Sequence, residues 1–156
     1  MSDGAPRAGD WIAFYGSLMR GLGAQEKLRI TDRLRFVGPC TIEGELYDCV
    51  DYPALRHGDG RVVAELFAVL DPSVVAILDE FEDYDPIRRR ESLYLRESLD
   101  LVEPADTRAW VYVYNRVPDA RDRIPSGDWR AHLAERVGAA DDAWALPDEG
   151  RTSWDS

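Results

Sequence analysis

One carboxylate of this chain occupies a position in a predicted helix that suits proton transfer. In the segment 72–84, apolar residues recur at helical spacing and form one stripe: Val74, Ile77, Leu78 and Phe81. Glu82 falls at the edge of this stripe. Burial there would raise the pKa of its carboxyl group, as general acid–base catalysis near neutral pH requires. A solvated acidic helix end is the alternative. The opposite, solvent-facing side of the helix is predicted to carry Asp79, Glu80 and Asp83.

A glycine-containing turn follows the first predicted strand and is the second candidate feature. Its residues are Tyr15, Gly16, Ser17 and Leu18. A tight passage from strand to turn exposes successive backbone N–H groups, which can bind a carboxylate or stabilise an oxyanion. The alternative is a plain turn that needs Gly16 only for its backbone angles.

Other side chains that could do chemistry are less well placed. Ser17 lacks the G-x-S-x-G surroundings of an activated serine, and His57 and His132 are predicted to lie on the surface. Cys40 and Cys49 lack metal-ligand spacing, so they are predicted to be reduced thiols, a disulfide pair being the alternative. These scattered residues predict no zinc site.

The elements that must position the candidate residues are strands with few helices. Strands are predicted at 10–16, 41–50, 62–70, 91–102 and 109–115. Helices are predicted at 24–30, 72–84 and 128–137. Asp71 is the predicted cap of the second helix, and Ser126 or Asp128 that of the third. Proline and two glycines predict that 51–61 is a loop, which could gate a pocket.

Neighbouring strands with sparse helices predict an α+β fold built on a mainly antiparallel sheet. The strand at 109–115 is apolar on both faces, with Trp110, Tyr112 and Tyr114 on one and Val111 and Val113 on the other. Such sheets are covered on both sides or curl into a barrel. We therefore expect a small, mainly antiparallel β-barrel with flanking helices.

One charged residue interrupts the apolar face of the strand at 91–102. Glu97 shares this face with four leucines: Leu93, Leu95, Leu99 and Leu101. We expect a bulge at 96–98 that turns Glu97 outward. Without a bulge, it would be a second inward carboxylate.

Length and charge narrow the classes of protein to consider. The 156 residues predict one domain at 10–137, with a disordered lead-in at 1–9 and an acidic tail at 138–156. The net charge of −11 makes nucleic acid and membranes poor partners. No apolar run reaches the roughly 18 residues of a membrane span, and the N-terminus lacks the order of a signal peptide. A cytoplasmic protein is expected.

Six motifs occur in order between residues 11 and 130. They are F-Y-G-S-L-M-R-G at 14–21, G-E-L-Y-D with Y-P-A-L at 44–55, L-D-E-F-E-D-Y at 78–84, Y-L-R at 94–96, W-V-Y-V at 110–113 and I-P-S-G-D-W at 124–129. In this set and order the chain resembles the γ-glutamylcyclotransferase (AIG2-like) family. The resemblance implies a small β-barrel with flanking helices. It also implies a catalytic glutamate at Glu82 and a substrate loop at 15–18.

The family's reaction is an internal aminolysis, in which a γ-glutamyl group closes to 5-oxoproline and expels an amine. The resemblance therefore implies a small-molecule γ-glutamyl substrate, no cofactor, and a monomer or homodimer. Tyr15 and Tyr112 are candidate pocket residues, core aromatics being the alternative. Two positions depart from the family pattern, because Asp83 and Ala64 stand where relatives often have glycine.

Two other functions stay open at this point. A related enzyme could act on a γ-glutamyl-amine, an isopeptide fragment or an acyl-protected metabolite instead of a dipeptide. A binding or regulatory module could keep the pocket without turnover. A carboxylate on an apolar stripe is costly without a use, which favours the enzyme.

Overall fold

The computed structural model describes residues 4–50 and 52–145, with side-chain surroundings described up to residue 137. Its strands are β1 Trp11–Phe14, β2 Leu34–Asp48, β3 Pro53–Val69, β4 Tyr94–Asp100, β5 Arg108–Tyr114 and β6 Arg123–Ile124. Its helices are α1 Ala24–Leu28, α2 Val74–Phe81 and α3 Trp129–Ala145. Within these residues, no helix combines the length and apolar character needed to cross a membrane.

The strands form one six-stranded sheet in the order β4-β5-β1-β3-β2-β6. The pairing of β1 with β5 is parallel, and the other pairings between neighbours are antiparallel. The predicted α+β class with a mainly antiparallel sheet is therefore confirmed. The expected closed barrel is not what the structure shows, because no pairing in the described residues joins β4 to β6. β6 has two residues, which offer too few backbone groups to close a barrel.

A long hairpin of β2 and β3 replaces the predicted loop at 51–61. The two strands pair from Leu34↔Val69 to Asp48↔Pro53. Proline is tolerated as the first residue of a strand, which is where Pro53 lies. The glycines of this segment lie in an irregularity of the ladder, where residues 57–60 of β3 face Gly44 of β2. Such a bulge needs small residues, so the glycines mark a distorted strand rather than a loop.

Both faces of β5 are covered, as its sequence predicted. Tyr112 and Tyr114 are buried on one face, and Val111 and Val113 are buried on the other. Each fully buried aliphatic side chain of this size contributes about 1.5–3 kcal/mol relative to exposure. The central position of β5, between β4 and β1, follows from this two-sided burial.

α2 is shorter than predicted and begins after a turn. Val74 N–H bonds to the Asp71 carbonyl at 3.0 Å, and the Asp71 carboxylate accepts the N–H of Ser73 at 3.0 Å. Asp71 therefore stabilises the turn before the helix, and Ser73 holds the N-cap position. Val74 and Leu78 of the predicted stripe are fully buried, but Phe81 is 41% exposed.

α3 begins where the sequence offered two caps. Asp128 Oδ1 accepts the N–H of Ala131 at 3.1 Å, so Asp128 is the cap. Ser126 contributes indirectly, since its hydroxyl accepts the N–H of Asp128 at 3.3 Å. The helix continues to Ala145, past the expected end at 137 and into the predicted acidic tail. Residues 146–156 of that tail lie outside the described residues.

The predicted lead-in contacts the rest of the domain at residues 4–9. Pro6 is buried, and Gly9 N–H bonds to the Val69 carbonyl at 2.8 Å. The carbonyl of Gly4 accepts a hydrogen bond from Arg96 at 3.0 Å. These contacts connect residues 4–9 to the sheet, and residues 1–3 of the predicted lead-in lie outside the described residues.

β4 pairs with β5 in continuous register, with Glu97 opposite Val111. The predicted bulge at 96–98 is therefore wrong. Glu97 lies on a face that is only partly covered, and its carboxylate meets His57 Nε2 at 3.0 Å. The bulged part of β3 supplies this histidine, which the sequence placed in a loop.

Candidate active site

A pocket of about 200 Å³ lies where β1, α2 and the β2–β3 turn meet. All six candidate residues from the sequence line it: Tyr15, Gly16, Ser17, Leu18, Glu82 and Tyr112. Seven further lining residues were not among the candidates from the sequence: Ala13, Phe14, Tyr52, Pro53, Phe81, Leu93 and Tyr94. The volume suits one amino-acid-sized group rather than a drug-sized ligand.

Glu82 is the first residue after α2 and occupies its C-cap position. Its N–H bonds to the Leu78 carbonyl at 2.9 Å, which keeps it in line with the buried side of the helix. The side chain is half-buried, and its free part faces the pocket. Burial, and secondarily the negative charge of Asp79, raises the pKa of Glu82 to about 8. Its carboxyl group can therefore hold or release a proton near neutral pH.

The turn after Glu82 contains a residue with a left-handed backbone conformation. Asp83 adopts a left-handed conformation with φ 55°. Its N–H bonds to the Glu80 carbonyl at 3.1 Å, and the N–H of Tyr84 bonds to the Asp79 carbonyl at 2.8 Å. This pair of bonds is a Schellman motif, whose left-handed position favours glycine and tolerates aspartate or asparagine. The Asp83 side chain is exposed.

The 15–18 turn is shaped by packing rather than by unusual backbone angles. A Cβ atom on Gly16 would overlap the ring of Pro53, so glycine is required here by space. The turn is held by Met19 N–H, which bonds to the Gly16 carbonyl at 2.9 Å, and by Gln25 Nε2, which donates to the Leu18 carbonyl at 2.6 Å. Within the described chain, the N–H groups of residues 16–18 have no acceptor. They are available to a ligand in the pocket.

Three tyrosine hydroxyls around the pocket are already committed to other groups. Tyr15 donates to the Tyr112 carbonyl, Tyr94 to the Pro53 carbonyl, and Tyr112 to Asp79 Oδ1, each at 2.6 Å. Burial raises the pKa of each of these phenols above its ordinary value. They therefore stay neutral, and their protons are engaged within the protein. Their contribution is to shape the pocket and not to titrate in it.

A buried ion pair lies behind Glu82. Arg96 Nη1 donates to the Asp79 carboxylate, at 2.6 Å to Oδ1, and the two side chains are 4% and 17% exposed. The helical wheel predicted that Asp79 faces solvent, and this prediction is wrong. The missed signal was Arg96 itself, since an arginine in the apolar Y-L-R strand needs an acidic partner when buried.

The ionisable character of the pocket rests on one group. No lysine or arginine of the described ranges lines it, and Glu82 is the one acidic residue in the described part of the lining. Among the residues the structure describes, no three His, Cys, Asp or Glu side chains come together as a metal site requires. The arrangement brings an acid–base carboxyl group and the residues whose backbone N–H groups have no acceptor to the lining of one small pocket.

The histidines and cysteines lie outside this arrangement. His57 is largely exposed beside Glu97, and His132 contacts Asp48 at 2.7 Å on the side of α3. Cys40 and Cys49 are both free thiols, as predicted. None of these four residues lines the pocket.

Comparison with known proteins gives the same family that the motifs suggested. The family model described as Gamma-glutamyl cyclotransferase, AIG2-like matches residues 12–131. The Gamma-glutamylcyclotransferase family protein YtfP of Escherichia coli K12 is 31% identical over 119 residues, which cover 76% of this chain and 94% of the relative. Its solution structure has a TM-score of 0.55 over 76% of this chain and 95% of that one.

Two crystal structures at lower identity share the fold. Uncharacterized protein PH0828 from Pyrococcus horikoshii has a TM-score of 0.63 at 24% identity, covering 83% of this chain and 97% of that one. An AIG2-like protein from Mus musculus has a TM-score of 0.61 at 22% identity, covering 79% and 89%. Likeness at this identity speaks for the architecture alone.

Proposed function

This chain belongs to the gamma-glutamyl cyclotransferase, AIG2-like family, and we propose that it cyclises the γ-glutamyl group of a small molecule to 5-oxoproline. In this reaction the substrate's α-amine attacks its own γ-carbonyl carbon. A carbon–nitrogen bond forms within the glutamyl group, the original amide bond breaks, and the amine leaves with one added proton. Atoms balance without a redox partner or a cofactor.

The observation that carries the proposal is the position of Glu82. A carboxyl group whose pKa is about 8 lines a small pocket together with residues 16–18, whose backbone N–H groups have no acceptor among the described residues. In its ionised form Glu82 takes a proton from the α-ammonium and frees the attacking amine. In its protonated form it delivers that proton to the leaving nitrogen. The second proton, which the attacking nitrogen loses as the lactam forms, passes to the released amine or to water. A pKa close to the working pH suits both steps.

The N–H groups of Gly16, Ser17 and Leu18 supply the complementary recognition. Among the lining residues in 4–50 and 52–145 there is no cationic side chain, so the negative charge of the substrate's α-carboxylate needs backbone donors. The same groups can alternatively stabilise the oxyanion of the tetrahedral intermediate, where such donors are most effective. Either assignment places the glutamyl group inside the pocket with its leaving group toward the opening.

Confinement of the substrate in the pocket also accelerates the reaction. The reacting amine and carbonyl belong to one molecule, and correct orientation in such reactions can lower a barrier by roughly 7–11 kcal/mol. The buried rings of Tyr15, Tyr94 and Tyr112 leave little freedom to an extended glutamyl chain. They favour the folded substrate in which the two groups approach each other.

The test is product formation from a panel of γ-glutamyl amides, dipeptides and amines, with 5-oxoproline detected by mass spectrometry. Product from any member, lost in Glu82→Gln, supports the proposal. Binding without product from the whole panel would favour a ligand-binding module on the same fold. A cytoplasmic location and a monomeric or homodimeric state stay predictions from the sequence.

A further inference from the structure

The mouth of the pocket is aromatic and uncovered. Tyr52 and Phe81, which we call the aromatic rim, line the pocket yet are 36% and 41% exposed. The deeper tyrosines are buried, with Tyr15 at 6%, Tyr94 at 5% and Tyr112 at 2% exposure. The pocket thus has a closed inner wall and a rim whose ring surface is still in contact with water. Covering such surface with an apolar group is favourable.

The two rim residues are held in place by different elements. Tyr52 lies in the β2–β3 turn, with its ring centroid 6.3 Å from that of Tyr94 and 6.2 Å from that of Tyr114. Phe81 is the last residue of α2 and directly precedes Glu82. One of the two rim residues, Phe81, is therefore adjacent in the chain to the acid–base group Glu82.

The charge of the pocket lining disfavours a leaving amine that carries a charged group. A leaving amine that carries a carboxylate would find no lysine or arginine among the lining residues that the structure describes. A leaving amine that carries a second ammonium would find Glu82 as the one carboxylate of this described lining, and the reaction already uses it. Charged groups that lose water without a partner weaken binding. A neutral apolar group meets neither cost.

From these observations we infer that the leaving amine is an uncharged aryl-alkyl amine, whose ring covers Tyr52 and Phe81 as the glutamyl group fills the pocket. This substrate class rests on the proposed function. Aromatic side chains prefer offset or edge-to-face packing against other rings, and the pair of rim residues offers two ring surfaces. A hydrophobic group of this size in a binding pocket typically changes kcat/KM by one to two orders of magnitude.

Four matched substrates test the inference through the rate of 5-oxoproline release. They are γ-glutamyl-phenethylamide, γ-glutamyl-ethylamide, γ-glutamyl-phenylalanine and γ-glutamyl-(4-aminobutyl)amide. We expect kcat/KM for the phenethylamide to exceed each of the other three by about 10-fold or more. The ethylamide isolates the ring, the phenylalanine conjugate adds a carboxylate, and the aminobutyl conjugate replaces the ring with a cation.

Substitutions test whether the aromatic rim causes the preference for the phenethylamide. Phe81→Ala and Tyr52→Ala should each reduce the phenethylamide-to-ethylamide ratio to about 3 or less, while both remain folded because the rings are half-exposed. Ile87→Ala is the matched control, since Ile87 is 91% exposed and does not line the pocket. Its ratio should equal that of the parent protein.

The outcomes separate this inference from the proposed function. Product from the panel without an aromatic preference, or with a preference that Phe81→Ala leaves intact, overturns the inference alone. No product from any substrate overturns the proposed function. In that case, the affinities of the Glu82→Gln variant for the phenethylamide and the ethylamide, measured by calorimetry, still test whether the aromatic rim binds the ring. About tenfold tighter binding of the phenethylamide supports it, and equal affinities overturn it.

Discussion

The phenol of Tyr112 donates a 2.6 Å hydrogen bond to Oδ1 of Asp79. Tyr112 belongs to β5 and Asp79 to α2, so this bond fastens the end of the helix to the sheet. Arg96 of β4 holds the same carboxylate. The orientation of Glu82, three residues beyond Asp79, therefore depends on three elements that meet behind the pocket.

Replacement of Glu82 by glutamine should remove turnover and keep the fold. The amide has nearly the same shape but cannot accept and return a proton, and general acid–base catalysis typically contributes about 10²–10⁴-fold. We expect kcat to fall by at least that factor, measured as 5-oxoproline release. Glu80→Gln is the matched control, because Glu80 is an exposed carboxylate on the same helix. An active Glu82→Gln protein would exclude Glu82 as the acid–base group.

The pH dependence of kcat/KM should follow the ionisation of Glu82 in the enzyme without bound substrate. Burial raises the pKa of Glu82 to about 8, and the ionised form is the one that accepts the first proton. Activity should therefore rise with pH, about tenfold per unit well below pH 8, and level off above it. Initial rates between pH 5.5 and 9.5 at low substrate concentration provide the measurement. An acid limb near pH 4.5 would indicate an ordinary, solvated carboxylate.

Removal of the Asp79 charge should move that acid limb to lower pH. Asp79 is the second cause of the raised pKa of Glu82, after burial, and Asp79→Asn also leaves the cation of Arg96 behind the pocket. Both changes favour an ionised Glu82. The pH profile of this variant is compared with that of Asp83→Asn, which removes a nearer charge in the chain that is exposed to solvent. Acid limbs at the same pH in the two variants would contradict a specific effect of Asp79.

The same Asp79→Asn variant should be less stable. Arg96 is almost completely buried, and breaking a buried ion pair by removing one partner typically costs about 3–5 kcal/mol. Urea unfolding gives the free energy of unfolding directly. If the variant is too unstable for kinetics, Tyr112→Phe tests the same support more gently, since it removes one hydrogen bond and leaves the ion pair.

Glycine at position 83 should stabilise the protein. Asp83 has φ 55°, a conformation that costs an L-residue about 1 kcal/mol and costs glycine little. Asp83→Gly should raise the free energy of unfolding by about 0.5–1 kcal/mol, reduced by the extra chain entropy of glycine when unfolded. Asp83→Val, with its branched side chain, should lower it. A thermal unfolding series of the three proteins decides the order.

Alanine at position 16 should disturb the pocket. The added methyl group would overlap the Pro53 ring, and overpacking of this kind costs about 1–3 kcal/mol. Because the same turn presents the free N–H groups, KM should rise together with the loss of stability. Gly38→Ala is the control, since a Cβ there has no neighbouring atom within 4 Å. Similar effects from both substitutions would refute the packing explanation.

The sequence predicted the two parts of the pocket that local patterns encode. Helical spacing marked Glu82, a glycine turn marked residues 15–18, and the ordered motifs gave the family. The sequence placed Asp79 on the solvent side of the helix and Phe81 in its buried stripe, and both placements were wrong. A helical wheel describes only the direction of a side chain from the helix axis. It does not show where a neighbouring sheet supplies a partner, as Tyr112 does for Asp79, or where that sheet leaves a gap, as at Phe81.

The β2–β3 contribution was missed for a related reason. Pro53, Gly58 and Gly60 have the composition of a loop, and the pairing that makes them a strand comes from residues 44–48. Strand pairing is not a local property, so Tyr52 and Pro53 were not recognised as pocket residues. The predicted barrel was not found for a similar reason. Two apolar faces indicate that a sheet is covered, but they do not indicate whether other strands or helices cover it.

The parallel pairing of Ile12 with Trp110 has a consequence for how the protein is made. Synthesis delivers β1 first and β5 much later, so the apolar strand that supplies Phe14 and the 15–18 turn must wait for its second neighbour. Long-range pairings of this kind slow folding and expose apolar surface to other chains in the meantime. The middle of the sheet therefore completes only after most of the chain has left the ribosome, and truncated chains are expected to aggregate.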